Sequence, residues 1–202
     1  MTVRGAILAG GAATRLGGRP KGLLEVGGRR MLDRLTDLLA DLLGAAPLLV
    51  ANAPDASEWH PGLEVVRDLI PGAGALGGIH AALSGAAPAR VLCVAWDLPF
   101  LTAPLLSALV EGSPSFDAFL PESGGPRGME PLCAVYGPAC IPAIARRAAA
   151  GDHRAIAFHD DVRVGTLPLA RVRTFGDPAH LFFNVNTPED VERADRAWQP
   201  PG

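Results

Sequence analysis

The chain has 202 residues, 49% of them hydrophobic, and a formal net charge of −3, enough to build one sizeable core as a single domain over residues 1–202. A slightly acidic balance argues against nucleic acid or an anionic membrane as the main partner, and no apolar run approaches the roughly 20 residues of a membrane span. Cys93, Cys133 and Cys140 are an odd, unpaired set that suits a reduced, cytoplasmic setting, and the five histidines lack metal-ligand spacing.

In chain order, residues 3–8 read as a short buried strand halted by Gly10-Gly11. The loop to Lys21 then carries Gly10, Gly11, Gly17 and Gly18 with three cations, Arg15, Arg19 and Lys21. Adjacent glycines bring bare N–H groups close to a ligand. Arg adds a planar fork of donors and Lys a compact charge, both complementary to phosphate oxygens. At the carboxyl end of a first strand, such a loop is a candidate polyphosphate cradle. A surface turn that happens to be basic is the plainer alternative. The loop is neither a Walker A motif, because Lys21 precedes Gly22 instead of Ser or Thr, nor Gly-x-Gly-x-x-Gly. The apolar stretch 5–13 is broken by glycine and closed by Arg15, unlike a secretory leader.

Helical periodicity over residues 31–43 ends at Gly44, and residues 47–51 and 63–67 are short apolar runs of the buried-strand kind. Residues 77–85 read as a small-residue helix, 90–95 as an apolar strand stopping at Asp97, and Thr102 with Pro104 opens a helix to about Glu111. Strands are expected over 116–121 and 131–136, helices over 139–150 and 153–160, and Thr187-Pro188-Glu189-Asp190 starts a last helix. This alternation predicts an α/β, three-layer, Rossmann-like fold around a mostly parallel sheet. Ligands of such sheets lie beyond the carboxyl ends of the strands. That rule singles out Asp97 as a Mg²⁺ ligand, since Mg²⁺ is commonly held by one or two carboxylates plus substrate phosphates. It also points to Asn52 and Asp68, each of which alone is more often a turn residue.

The run Leu8-Ala9-Gly10-Gly11-x-x-x-Arg15-x-Gly17-Gly18-x-x-Lys21 resembles the signature of nucleotidyltransferases that activate sugars and cofactors from nucleoside triphosphates. Within that group it is most similar to the molybdenum cofactor guanylyltransferases. The resemblance extends to Trp96-Asp97-Leu98-Pro99, where the family has Cys-Asp-x-Pro, and to Asn184-Val185-Asn186-Thr187-Pro188-Glu189-Asp190. It implies GMP transfer from GTP to molybdopterin with Mg²⁺ held by Asp97, and transient contact with molybdenum cofactor biosynthesis or recipient enzymes.

Arg15, Lys21 and Asp97 are then the catalytic candidates. Leu8, Ala9, Gly10, Gly11, Lys21, Asn52, Asp68, Gly77 and Asp97 are the nucleotide-binding ones, Gly77 through the segment Leu76-Gly77-Gly78-Ile79 that closes over the base in the family. Period-two spacing aims the Asn184 and Asn186 amides at one face. These two, with Glu130, are acceptor-side candidates. A cytidylyltransferase is the alternative within the same chemistry. A nicotinamide-dependent oxidoreductase is suggested by Gly72-Ala73-Gly74-Ala75-Leu76-Gly77. Against it stand Pro71 ahead of those glycines and a cationic first loop left without a role. A non-catalytic nucleotide-binding module would not require Arg15, Lys21 and Asp97 together.

Overall fold

The computed structural model describes residues 2–10, 20–125 and 128–198. Its strands are β1 (Val3–Leu8), β2 (Glu25–Val26), β3 (Arg29–Arg30), β4 (Leu48–Val50), β5 (Glu64–Val66), β6 (Arg90–Ala95), β7 (Ala118–Pro121), β8 (Cys133–Tyr136) and β9 (Val164–Leu167). Its helices are α1 (Met31–Leu43), α2 (Ala56–Trp59), α3 (Gly74–Ala86), α4 (Ala103–Gly112), α5 (Cys140–Ala149), α6 (Leu169–Val172), α7 (Pro178–Leu181) and α8 (Pro188–Ala197). Seven strands form one sheet in the order β5-β4-β1-β6-β8-β7-β9. It is parallel except that β8 runs against both β6 and β7.

Two apolar layers cover the sheet. On one face Leu32, Leu35 and Leu39 of α1 and Leu105, Leu106 and Leu109 of α4 pack on Ile7, Leu49 and Val94. On the other, Leu76, Ile79 and Leu83 of α3 and Ile144 of α5 pack on Ala6, Leu48 and Cys93. Inward-facing residues alternate along β1 and β6, so each strand is apolar on both faces, as a sheet covered by helices on both sides requires. This is the expected three-layer α/β fold.

Register fixes where a ligand can sit. Leu8 pairs with both Val50 and Ala95, and Val50 pairs with Val66, so β1, β4, β5 and β6 end level. Antiparallel β8 begins at that same edge, opposite Val94 at Cys133. Parallel β7 and β9 end there too, with Pro121 opposite Leu167. One sheet edge thus carries residues 9–10, 51–52, 67–68, 96–97, 130–132, 122–125 and 168–169.

Three local features depart from the expectation. Residues 153–160 do not form an α-helix: Ala157 N–H reaches Arg154 O and His159 N–H reaches Ile156 O, which are three-residue bonds, ending in a 3₁₀ turn at His159–Asp161. Gly151 (φ +80°) and an Asp152 carboxylate bonded to Arg154 turn the chain there instead. Strand β9 was not expected, because Gly165 interrupts its apolar pattern. That glycine leaves room for Phe116, whose ring atoms lie 2.6 Å from where a Cβ would stand. The hairpin β2–β3 is a further addition, turned by Gly27-Gly28, whose φ values of 62° and 71° are those a type I′ turn demands.

Candidate active site

Lys21 opens a 3₁₀ turn, Lys21–Leu23, whose Gly22 lies against Trp96 at the end of β6. Its Nζ donates to Asn186 Oδ1 at 2.6 Å and lies 3.5 Å from Asp97 Oδ2. The two charged side chains are only 13% and 14% exposed. Burial pushes the Asp97 carboxyl above the ordinary aspartate range, while the Lys21 ammonium pulls it back. A buried carboxylate whose described counter-charge is a single ammonium is a place that receives a cation readily. Among the described residues no set of three or more His, Cys, Asp or Glu forms a metal cage. Asp97 therefore fits a Mg²⁺-type ion that arrives with substrate phosphates supplying further ligands.

Asn186 is delivered by the segment before α8. Val185 N–H bonds to Asp97 O at 3.0 Å, tying this segment to the end of β6. The Asn186 and Thr187 N–H groups both donate to Asp190 Oδ2, and Thr187 completes a capping box with Asp190. Asn186 is thus held at both backbone and side chain. The Asn184 amide does not join it. Its Nδ2 donates to Phe182 O and its side chain lines a different cavity, so the two amides diverge.

A cavity of about 500 Å³ opens beside this cluster. Leu8, Ala9 and Gly10 form one wall, Asn52 and Asp68 another, Gly74 and Gly78 a third, and Trp96 and Asp97 the end toward Lys21. Its size is that of a small-molecule site. Asn52 and Asp68 lock each other: Asn52 Nδ2 donates to Asp68 Oδ2 at 2.8 Å, and Asp68 N–H donates to Asn52 Oδ1 at 2.9 Å. Ala9 N–H is committed to Val50 O and Leu8 O accepts from Trp96 N–H, so those two groups serve the sheet before any ligand. Gly77 is not in the wall. A Cβ there would lie 3.1 Å from Ile70 O and 3.2 Å from Ala73 Cβ, so its role is to let the 68–73 loop sit down on α3. Within α3, Gly74 and Gly78 are the glycines that face the cavity, four apart on one side of the helix. Arg15 and Gly11 lie outside the described residues.

Trp96 stands where the resembling family has Cys, and the structure accounts for it. Its ring stacks on Trp59 with centroids 5.3 Å apart and supports the turn after Lys21. A Cβ on Gly22 would come within 2.4 Å of Trp96 Cε3. Gly22→Ala should therefore destabilise the protein by about 1–3 kcal/mol through overpacking. Trp96→Leu in the same chain should recover part of that loss. A double-mutant cycle on thermal melts checks both, and an unchanged melt for the single variant would show that the seat has slack.

Beyond the ends of β7 and β9 the same sheet edge holds a second cavity, of about 640 Å³, bounded by residues 123–125, Met129, Glu130, Phe182 and Asn184. Glu130 Oε1 accepts from Leu132 N–H, and Leu132 belongs to the wall of the first cavity. That hydrogen bond links a residue of each cavity, Glu130 of the second to Leu132 of the first. The glycine motif at 72–77 lies after edge strand β5 and is separated from it by residues 67–71, not at the tight turn after a central strand that a dinucleotide fingerprint needs.

Comparison with known proteins gives a consistent picture. The profile of the MobA-like NTP transferase domain matches residues 5–164. The chain is 40% identical to a probable molybdenum cofactor guanylyltransferase of Pelotomaculum thermopropionicum, over 94% of this chain and 90% of that protein. It is 36% identical to the molybdenum cofactor guanylyltransferase of Desulfosudis oleivorans, over 96% and 95%. The crystal structure of molybdopterin-guanine dinucleotide biosynthesis protein A from Archaeoglobus fulgidus superposes with a TM-score of 0.80 at 27% identity, covering 98% of both chains.

Proposed function

The chain belongs to the MobA-like NTP transferase family, and on that premise we propose that it transfers GMP from GTP to molybdopterin, forming molybdopterin guanine dinucleotide and pyrophosphate. The observation that carries this reading is the cluster of Lys21, Asp97 and Asn186 at the end of the first cavity, which Asp97 lines, with a second cavity on the same sheet edge. A transferase of this kind needs two substrates to meet at a charged point, and two cavities on one sheet edge support that reading.

In the first cavity the nucleotide would lie along Leu8–Gly10, with Asn52 and Asp68 toward the base and ribose. A Cβ on Gly10 would meet no described atom within 4 Å, so glycine there leaves room beside a purine-sized ligand. The triphosphate would run toward Lys21 and, on the sequence motif, Arg15. The acceptor would enter from the second cavity, past Asn184 and Glu130, with its terminal phosphate leading. An ionised phosphate is already a nucleophile, so no side-chain base is needed. One of its oxygens bonds to the α-phosphorus as the bond from that phosphorus to the pyrophosphate oxygen breaks.

Asp97 would hold a divalent metal, Mg²⁺ in this proposal, which when bound neutralises phosphate charge. Lys21 stabilises charge on the α-phosphate and the departing pyrophosphate, and Asn186 fixes where the ammonium can reach. Catalysis is then positioning plus electrostatic stabilisation.

The test is a competition among GTP, CTP and ATP, scored by pyrophosphate release with molybdopterin as acceptor. GTP is the expected donor. Preference for CTP would move the chain to the cytidylyltransferases, and no release with any nucleotide would overturn the reading.

A further inference from the structure

We propose that Arg173 and Asp177, at the far side of the second cavity, are acceptor-recognition residues that take hold of the ring end of the acceptor while its phosphate reaches Lys21. This rests on the guanylyl-transfer reading above, and it adds two residues that neither the glycine-rich loop nor the C-terminal motif contains.

Arg173 follows directly on α6 and Asp177 directly precedes α7, so both stand on the short connection 173–177 that forms the outer rim of the cavity. The Arg173 guanidinium has no ion pair and no hydrogen bond to any described residue, although Asp177 stands four residues away on the same rim. This contrasts with Arg30, Arg147 and Arg154, each of which is paired with a carboxylate at 2.6–2.7 Å. A planar cation left uncommitted at a cavity wall is suited to an anionic or π-rich ligand. Asp177 uses Oδ1 to accept from Ala179 N–H at 3.0 Å, which fixes the carboxylate. Its Oδ2 bonds no described residue. Phe182 and Met129 add apolar surface to the same cavity.

A flat heterocycle with N–H donors along one edge and negative charge on the side chain it carries matches this lining better than a sugar does. A sugar presents hydroxyls in several directions and no flat face. The 2-amino-4-oxo edge of a pterin offers adjacent N–H donors to a carboxylate. The dithiolene side chain supplies charge for Arg173 beyond that of the terminal phosphate. The segment 184–186 sets the direction. Asn184 faces this cavity, Val185 holds Asp97, and Asn186 holds Lys21, so consecutive residues lead from the ring site to the charged cluster.

The experiment measures molybdopterin binding by equilibrium titration and, separately, the steady-state constants for both substrates, in the wild type, Arg173→Ala, Arg173→Lys and Asp177→Asn. Asp177→Asn keeps an oxygen for the Ala179 N–H, and Arg173 is exposed, so both variants should melt like the wild type. The expected result is a rise of at least about tenfold in the molybdopterin Kd and KM for Arg173→Ala and Asp177→Asn. The GTP KM and the kcat at saturation should be unchanged, and Arg173→Lys should recover part of the loss. Unchanged molybdopterin Kd in both variants overturns the proposal, as does a wild type that binds no molybdopterin, or an equal rise in the GTP KM. Failure of the functional reading looks different: molybdopterin binds and the variants weaken it, but no pyrophosphate leaves GTP.

Discussion

Replacing Asp97 by Asn should remove metal-dependent GMP transfer, by roughly 10³-fold or more, as loss of an electrostatic centre of a phosphoryl-transfer site does. The substitution keeps shape and polarity while deleting the charge that would bind the metal. The side chain is 14% exposed and Val185 N–H stays bonded to the main-chain oxygen, so the fold has no reason to change. In the wild type, chelation of divalent metal should produce the same loss, and in the variant added metal should restore nothing. The pH profile gives a further check. Burial raises the Asp97 carboxyl above the ordinary aspartate value of about 3.9, and a protonated carboxyl does not hold the metal. Activity should therefore fall on the acid side at a higher pH than an exposed aspartate would give. Retained metal dependence in Asp97→Asn, measured by pyrophosphate release against Mg²⁺ concentration, would remove Asp97 from the metal site.

Lys21→Ala should cost about two to four powers of ten in turnover, as loss of a key transition-state donor does. Two effects add. The ammonium that would face the α-phosphate and leaving group is gone, and Asp97 loses the counter-charge that holds its carboxyl down. Burial is then less opposed, so the acid limb of the pH profile should move to higher pH in this variant. Lys21→Arg should restore little, since Lys21 is 13% exposed and already makes a 2.6 Å bond to Asn186, leaving little space for a guanidinium. Near-wild-type kcat for Lys21→Ala, or an acid limb that does not move, would show that the ion pair is structural.

Much of this architecture was legible because its elements announce themselves locally. Val3–Leu8 and Arg90–Ala95 are apolar runs too short for helices, Met31–Leu43 has a clean amphipathic period, and Thr187-Pro188-Glu189-Asp190 is a helix start by capping chemistry alone. The strand-end rule then placed Asp97, Asn52 and Asp68 on one edge without knowledge of the register. What stayed hidden depends on partners distant in sequence. Gly165 breaks an apolar pattern until Phe116 is seen lying over it. Gly77 looks like part of a nucleotide loop, yet its contacts are with residues 68–73 beneath the wall, while Gly74 and Gly78 face the space. The parting of Asn184 from Asn186 could not be read from alternation either. It follows from hydrogen bonds to Asp97 and Lys21, which fix the segment from outside.

The bond between Lys21 and Asn186 spans 165 positions. During synthesis, the ammonium therefore waits for most of the polypeptide to leave the ribosome before it finds its amide. A nascent or prematurely terminated chain that stops short of residue 186 can own the glycine-rich loop and still lack the completed charged centre, so competence for transfer should appear late, with the last helix.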